Sequence, residues 1–278
     1  MTAYRLPEEI KGTILEEIME IKLREVKAAQ DKLPSPSLRK ALERAEPVRS
    51  LKGALLRHNP AIIAEIKRAS PSAGLLRQDF EPVGFAREYE RSGAAAISMV
   101  TEVHHFMGGL EYLATLRWHS QVPLLRKDFL VDSYQILESR CAGADAILLI
   151  GALLAESSLR RLRGEADALG MDVLVEVHDE RELGLALAAG ASLIGVNSRD
   201  LRTFEVSLDV CFRLAPLLPK TVIAVAESGI RSAEDIHKLM SAGYRGFLIG
   251  EQFMRASSPG AALAEILSAS ARVEKKAS

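Results

Sequence analysis

The sequence predicts a (β/α)8 barrel, one domain over residues 1–278 with residues 1–58 as a helical extension ahead of it, and three observations carry that expectation. From residue 61 onward, eight short apolar runs alternate with eight amphipathic segments. The runs are apolar at consecutive positions, the pattern of parallel strands covered on both faces. No long linker interrupts the alternation, so eight βα units fit in about 210 residues, as a closed barrel requires.

The chain opens on two helical patterns, residues 7–30 and 37–45. The apolar runs then read AIIAEIK (61–67), AAISMV (95–100), PLLRKDF (123–129), AILLIG (146–151), DVLVEV (172–177), LIGVN (193–197), VIAVAES (222–228) and GFLIG (246–250). Their shortness and β-branched content favour strands. A helical pattern follows each, from PVGFAREYERSG to SPGAALAEILSASARV. Several of these start on Asp or Ser as an N-cap, and several end on Gly. An internal echo, SGAAAIS, AGADAILL, AGASLIGV and AGYRGFLIG, recurs at multiples of the βα length. The competing architecture, a doubly wound open sheet, usually carries a Gly-rich phosphate loop after its first strand, and none follows Lys67.

Composition narrows the function classes. Lys plus Arg number 36 against 37 for Asp plus Glu, so a basic surface for nucleic acid or anionic membrane is not expected. No apolar stretch has the length of a membrane span or signal peptide, which points to a cytoplasmic protein. Cys141 and Cys211, each inside a helical pattern and without Cys or His partners at ligand spacing, read as buried free thiols.

Charge interrupts the strands near their C-terminal ends, where a barrel enzyme keeps its reactive groups. Glu65 and Lys67 are two apart and so share a face, as do Lys127 and Phe129. Glu176 ends the fifth run, Asn197 the sixth with Arg199 just beyond, and Glu227 with Ser228 the seventh. A single such residue reads as a solvated rim side chain. Five strand ends converging on one mouth are costly to bury for structure alone, and their charges shift each other's pKa. Two Gly turns, ESGI (227–230) and IGE (249–251), follow the last two runs. Loops there often bind phosphate through backbone N–H groups, and Gly229 and Gly250 allow close approach. These observations point to a small phosphorylated substrate.

The segments AEIKRASPSAG (64–74), LLRKDFLVDSYQI, AGADAILLI, LVEVHDE, IGVNSRDL, VAESGI and FLIGEQFM resemble indole-3-glycerol phosphate synthase in order and spacing. ILEEIMEIKLREV resembles that family's extra helix ahead of the barrel. The resemblance implies ring closure of 1-(2-carboxyphenylamino)-1-deoxyribulose 5-phosphate with loss of carbon dioxide and water, in tryptophan biosynthesis, without cofactor or metal. It implies a monomer or weak homo-oligomer, in contact with other tryptophan-pathway enzymes. By matching motif, Lys127 is the general acid at the substrate carbonyl, and Glu176 is base or acid in the later dehydration. Lys67 meets the phosphate or the leaving carboxylate, and Glu65 and Asn197 orient the sugar hydroxyls and the lysines. Arg199 and Glu227 stand beside them, and Ser70 lies in the loop after the first strand. Ser228, Gly229 and Gly250 hold the phosphate, Glu251 is a further substrate-binding residue, and Phe106, Phe129 and Leu148 form the apolar slot for the aromatic ring.

These residue types suit the chemistry. Attack of an aniline ring on a carbonyl needs a proton donor at the oxygen, expected here to be a lysine of lowered pKa. A Lys–Glu–Lys arrangement supplies the further donor and base that dehydration and rearomatisation need. The second loop departs from the family's usual residues at His105 and Gly109, and Ser198 replaces a frequent second Asn. His104, His105, His178 and His237 read as surface residues. Two other readings stand beside the synthase: a phosphoribosylanthranilate isomerase, which wants a Cys–Asp pair at strand ends, and a non-catalytic barrel serving as scaffold or regulatory subunit.

Overall fold

The computed structural model describes residues 7–201 and 203–277, so residues 1–6 of the expected extension lie outside the described residues. Eight parallel strands close into a barrel: β1 (Ala61–Ile66), β2 (Ala96–Val100), β3 (Leu124–Lys127), β4 (Ala146–Ile150), β5 (Asp172–Val177), β6 (Leu193–Asn197), β7 (Ile223–Glu227) and β8 (Gly246–Ile249). Each falls within a predicted run. Following the register from Ala61 through Gly246, Val225, Gly195, Glu176 and Ile150, and on through β3 and β2, returns to β1 eight residues further along. That stagger belongs to a barrel whose interior is filled by side chains.

The helices between strands start and stop where side-chain chemistry asks them to. Asp132, Asp179 and Ser232 cap their helices through N–H groups of the first turn. The repeated small-Gly pair of the echo is the other end of the same design. Gly143 and Gly243 have φ of 86° and 105° and turn the chain from helix into the next strand. Outward-facing strand residues such as Ile97, Ile147, Leu149 and Phe247 are fully buried under these helices. Each large apolar side chain so buried contributes about 1.5–3 kcal/mol.

Ahead of β1 the chain travels from one end of the barrel to the other. Helix α1 (Ile14–Lys32) lies against the strand-end loops, with Lys22 on Asp128 and Gln30 on Asp132. Helix α2 (Ser35–Leu42) runs down the outside of α6 (Ser133–Cys141), where Val26, Leu38, Tyr134 and Leu137 make a small second core. At the opposite end Arg49 and Lys52 donate backbone N–H bonds to Asp145 and Asp172, at the strand starts. A further helix, α3 (Leu51–Arg57), then leads into β1. The sequence reading ends its helical pattern at residue 45 and misses α3, whose seven residues are too few to display a period.

Between β1 and helix α4 (Pro82–Arg91), Ala69–Ser70 pairs antiparallel with Gly74–Leu75, a two-stranded ribbon beside the mouth of the barrel. Helices α5 (Leu110–Leu116), α7 (Glu156–Ala168), α8 (Glu180–Ala188), α9 (Asp209–Leu214) and α10 (Ala233–Ser241) follow the middle strands in turn. After β8 come the short α11 (Glu251–Arg255) and the long α12 (Pro259–Ala277). Among the described residues no helix is long and apolar enough to cross a membrane.

Candidate active site

The register decides which side chains meet inside the barrel. Glu65 lies opposite Ser98, Val100 opposite Lys127, Ile150 opposite Glu176, Glu176 opposite Gly195, and Asn197 opposite Glu227. Directly opposed residues share a face, so one parity of residues places all of these at the C-terminal end of the barrel. All fifteen candidate residues named from the sequence line a single cavity of about 820 Å³ there.

Lys127 occupies the centre. Its Nζ is 2.8 Å from Glu176 Oε2 and 3.3 Å from Glu227 Oε2. A second lysine, Lys67, lies 2.5 Å from Glu65 Oε1. Phe106 and Phe129 sit with ring centroids 6.3 Å apart, and Leu148 joins them on the cavity wall. Arg199 spans the mouth: its guanidinium contacts Ser72 Oγ in the first loop, the Phe204 carbonyl and Glu251. Its backbone N–H donates to Asn197 Oδ1 at 3.0 Å. Ser70 Oγ accepts from the Ala73 N–H and holds the ribbon's turn.

The electrostatics correct one expectation. Burial alone would depress Lys127, but the carboxylates of Glu176, Glu227 and Glu65 hold it well above the ordinary lysine range, not below it. Burial pushes Glu227 up to about 8, with Lys127 opposing and the Glu176 charge adding to the rise. Glu176 suffers the same burial yet is held below the usual carboxylate range by Lys127 and His178. The pair therefore titrates as a unit with one ammonium between two carboxyls, and near neutral pH one carboxyl carries the charge and the other a proton. Glu227 Oε1 is buried and has no hydrogen-bond partner.

Two glycines make room for these acids. A Cβ on Gly195 would lie 2.0 Å from Glu227 Oε1, and one on Gly250 would lie 2.3 Å from Glu65 Oε1. Gly195 escaped the sequence reading, because inside LIGVN it passes for an ordinary strand residue. Ser228 and Gly229, with φ of 64° and 74°, form a left-handed turn between the last catalytic-end charge and the cavity wall. Consecutive N–H groups in such turns make concave anion sites. Glu251, on the cavity wall, pairs with Arg199 at 3.3 Å and with Arg255 at 3.1 Å.

Other corrections concern histidine and the second loop. His178 is no surface residue: it is packed between Glu176 and Glu182, 3.0 Å from Glu182 Oε2 through Nδ1. His237 is half-buried and bonds the Ser270 carbonyl. His105 is also half-buried, and turns to α1, 3.5 Å from Glu17, while Gly109 caps α5. From that loop the cavity takes Glu102 and Phe106. Glu102 is a further buried acid that sequence reasoning passed over, its carboxylate accepting the N–H groups of His104, His105 and Phe106. Of the two thiols, Cys211 is buried on α9 with its Sγ 3.2 Å from Ser198 Oγ, just beyond β6, and Cys141 is half-buried on α6; neither lines the cavity, where an isomerase would need one.

Known proteins resemble this chain at two levels. A family model described as indole-3-glycerol phosphate synthase matches residues 15–266. An indole-3-glycerol phosphate synthase of Carboxydothermus hydrogenoformans is 49% identical over 261 residues, covering 91% of this chain and 99% of that one. One from Koribacter versatilis is 52% identical over 207 residues, 74% of this chain and 80% of the relative. Among solved structures, KGPDC from Streptococcus mutans in complex with D-R5P superposes with a TM-score of 0.61 at 14% identity, over 78% of this chain and 99% of that chain. At that identity the likeness concerns the barrel alone.

Proposed function

The chain belongs to the indole-3-glycerol phosphate synthase family, and from that premise we propose how its cavity closes the ring of 1-(2-carboxyphenylamino)-1-deoxyribulose 5-phosphate. The product is indole-3-glycerol phosphate, with carbon dioxide and water released, which makes the chain a carboxy-lyase of tryptophan biosynthesis. The observation that carries the reading is Lys127, an ammonium held by two buried carboxyls in a cavity that Phe106, Phe129 and the left-handed Ser228–Gly229 turn also line.

The substrate has an apolar end and a dianionic end. Phe106, Phe129 and Leu148 suit the ring, and the Ser228–Gly229 turn with the backbone at Gly250 suits the phosphate. The carbonyl then falls near Lys127, which donates its proton to the oxygen as the ring carbon attacks. The high proton affinity of Lys127 keeps the donor loaded at working pH. Bound substrate carries its own negative charges to the site. Lys67 faces the departing carboxylate and supplies the proton that leaves with the hydroxyl in dehydration. Glu176 accepts the proton released on rearomatisation. Glu65 and Asn197 orient the lysines and the sugar hydroxyls. The free thiols of Cys141 and Cys211 suit a reducing cytoplasm, where we place the enzyme as a monomer or weak homo-oligomer.

The test is a fluorescence assay for indole-3-glycerol phosphate with the purified chain and its substrate. Steady product formation is expected, and no product at any substrate concentration would overturn the assignment. The two glycines offer a finer test. Alanine at Gly195 should force Glu227 off Lys127 and cut kcat by roughly 10²-fold, because displacements near 1 Å at reacting groups carry that cost. A Gly195→Ala enzyme with unchanged kcat would show that Glu227 need not touch Lys127.

A further inference from the structure

One titratable pair at this end of the barrel, His178 and Glu182, has no part in the steps above. Glu176 divides its two oxygens: Oε2 faces Lys127 at 2.8 Å, and Oε1 faces His178 Nε2 at 3.4 Å. The second contact is an ion-pair distance rather than an aligned hydrogen bond. Behind the imidazole stands Glu182 on α8, itself buried, whose Oε2 accepts from both the His178 backbone N–H and Nδ1, each at 3.0 Å. Glu182 therefore fixes the ring's rotation and the proton on Nδ1, so that the imidazolium's second N–H, at Nε2, addresses Glu176.

We infer that His178, oriented by Glu182, is a positioning residue that keeps Glu176 charged and turned toward Lys127 while protons move. The inference rests on the role given to Glu176 above. Its logic is charge balance. When Lys127 hands its proton to the carbonyl oxygen, the ammonium that neutralised Glu176 is gone. Without a second cation, Glu176 would sit beside Glu227 in a buried site and take a proton itself, which removes the base needed for rearomatisation. A cationic His178 prevents that. The groups facing Glu176 are Lys127 from β3, Glu227 from β7 and His178 at the end of its own strand, with Glu182 on α8 beyond the imidazole. Burial lowers the His178 pKa, but its two glutamate partners outweigh that and raise it to about 10, so the cation persists at working pH.

Two substitutions separate charge from scaffold. His178→Asn keeps an amide donor at the Nδ1 position for Glu182 and loses the reach to Glu176. His178→Gln keeps a donor near the Nε2 position and loses the charge. Both should lower kcat by roughly 10–100-fold with KM within about twofold. The acid limb of the kcat profile should move up by about one pH unit, as Glu176 becomes easier to protonate. Glu182→Gln should move it the same way by less. In the wild-type enzyme one of the six imidazoles, absent from the His178→Asn spectrum, should hold its proton from pH 6 to 8.5 by NMR. Loss of that proton near the free value of about 6.5 would overturn the inference. So would an unmoved acid limb in both variants with activity falling only in step with Tm. Glu176→Gln serves as the control. If it keeps wild-type turnover, the role of Glu176 fails and this inference with it. If it is inactive while the His178 variants keep the wild-type profile, this inference alone fails.

Discussion

Lys127→Met is expected to lower kcat by about three orders of magnitude or more while the barrel still folds. Methionine preserves most of the stem's length and removes the proton donor, and a positioned general acid contributes roughly 10²–10⁴-fold. The removal has an electrostatic echo. Glu176 and Glu227 lose the ammonium that lies 2.8 and 3.3 Å from them, leaving two buried carboxyls side by side. The variant should relieve this by binding a proton, so the folded pKa of Glu176 rises from its depressed position. A carboxyl whose folded pKa exceeds its unfolded value gives stability below the unfolded pKa and loses it as pH rises through the folded one. Lys127→Met should therefore lose stability relative to wild type as the pH is raised from about 5 to 8. Single-turnover kinetics and urea unfolding at three pH values check both halves. Near-normal kcat would remove Lys127 from its assigned role, and pH-independent destabilisation would remove the carboxyl pair from this account.

That coupled triad also marks how far the sequence could be read. The spacing of Glu65 and Lys67, and the position of Glu176, Asn197 and Glu227 at the ends of apolar runs, are local facts, and the barrel's alternation turns them into one inward-facing set. Local patterning was therefore enough to find the cavity wall. The sign of the Lys127 shift was not local. It depends on how many carboxylates the register of β1, β5 and β7 brings round one ammonium, and three of them reverse what burial alone would do. His178 was misread because its pairing with Glu182, four residues on, forms only once α8 starts and packs, which leaves the ring largely covered. Gly195 carries no sign of the Glu227 carboxylate that fills its missing side chain. Helix α3 failed on length. Each omission is a contact that only packing creates, or an element too short to stand out as a pattern.

Asp128→Asn should cause the largest loss of stability of any change at this end of the barrel. Asp128 is buried one residue beyond Lys127, and its carboxylate is the hub of a network linking the N-terminal extension to β3. Lys22 of α1 meets Oδ1 at 3.1 Å, and Arg126 meets Oδ2 at 3.1 Å. The Thr101 hydroxyl donates to Oδ2 and the Phe129 N–H to Oδ1. Arg126 continues the chain to Glu138 at 2.9 Å, and Lys22 to Glu25 at 2.7 Å. Both cations are themselves buried, so neutralising the hub leaves two charges short of a partner, a change that typically costs about 3–5 kcal/mol. For a chain of this size that is a Tm lower by roughly 10 °C. The pH dependence has a definite sign. Burial would raise the Asp128 pKa, but Lys22, Arg126 and the Thr101 and Phe129 donors bring it down to about 2. A depressed carboxyl gives stability that is whole above its unfolded pKa and is lost as pH falls through the folded value. The wild-type chain should thus shed about 2 kcal/mol between roughly pH 4 and 2 that Asp128→Asn has already lost. Lys22→Met should cost less, because Arg126 still neutralises Asp128 and methionine packs in place of the stem. Thermal and urea unfolding of both variants at pH 7 and pH 3 gives the comparison. If Asp128→Asn stays within about 1 kcal/mol of wild type at pH 7, the network holds α1 in place without stabilising the strand that carries Lys127.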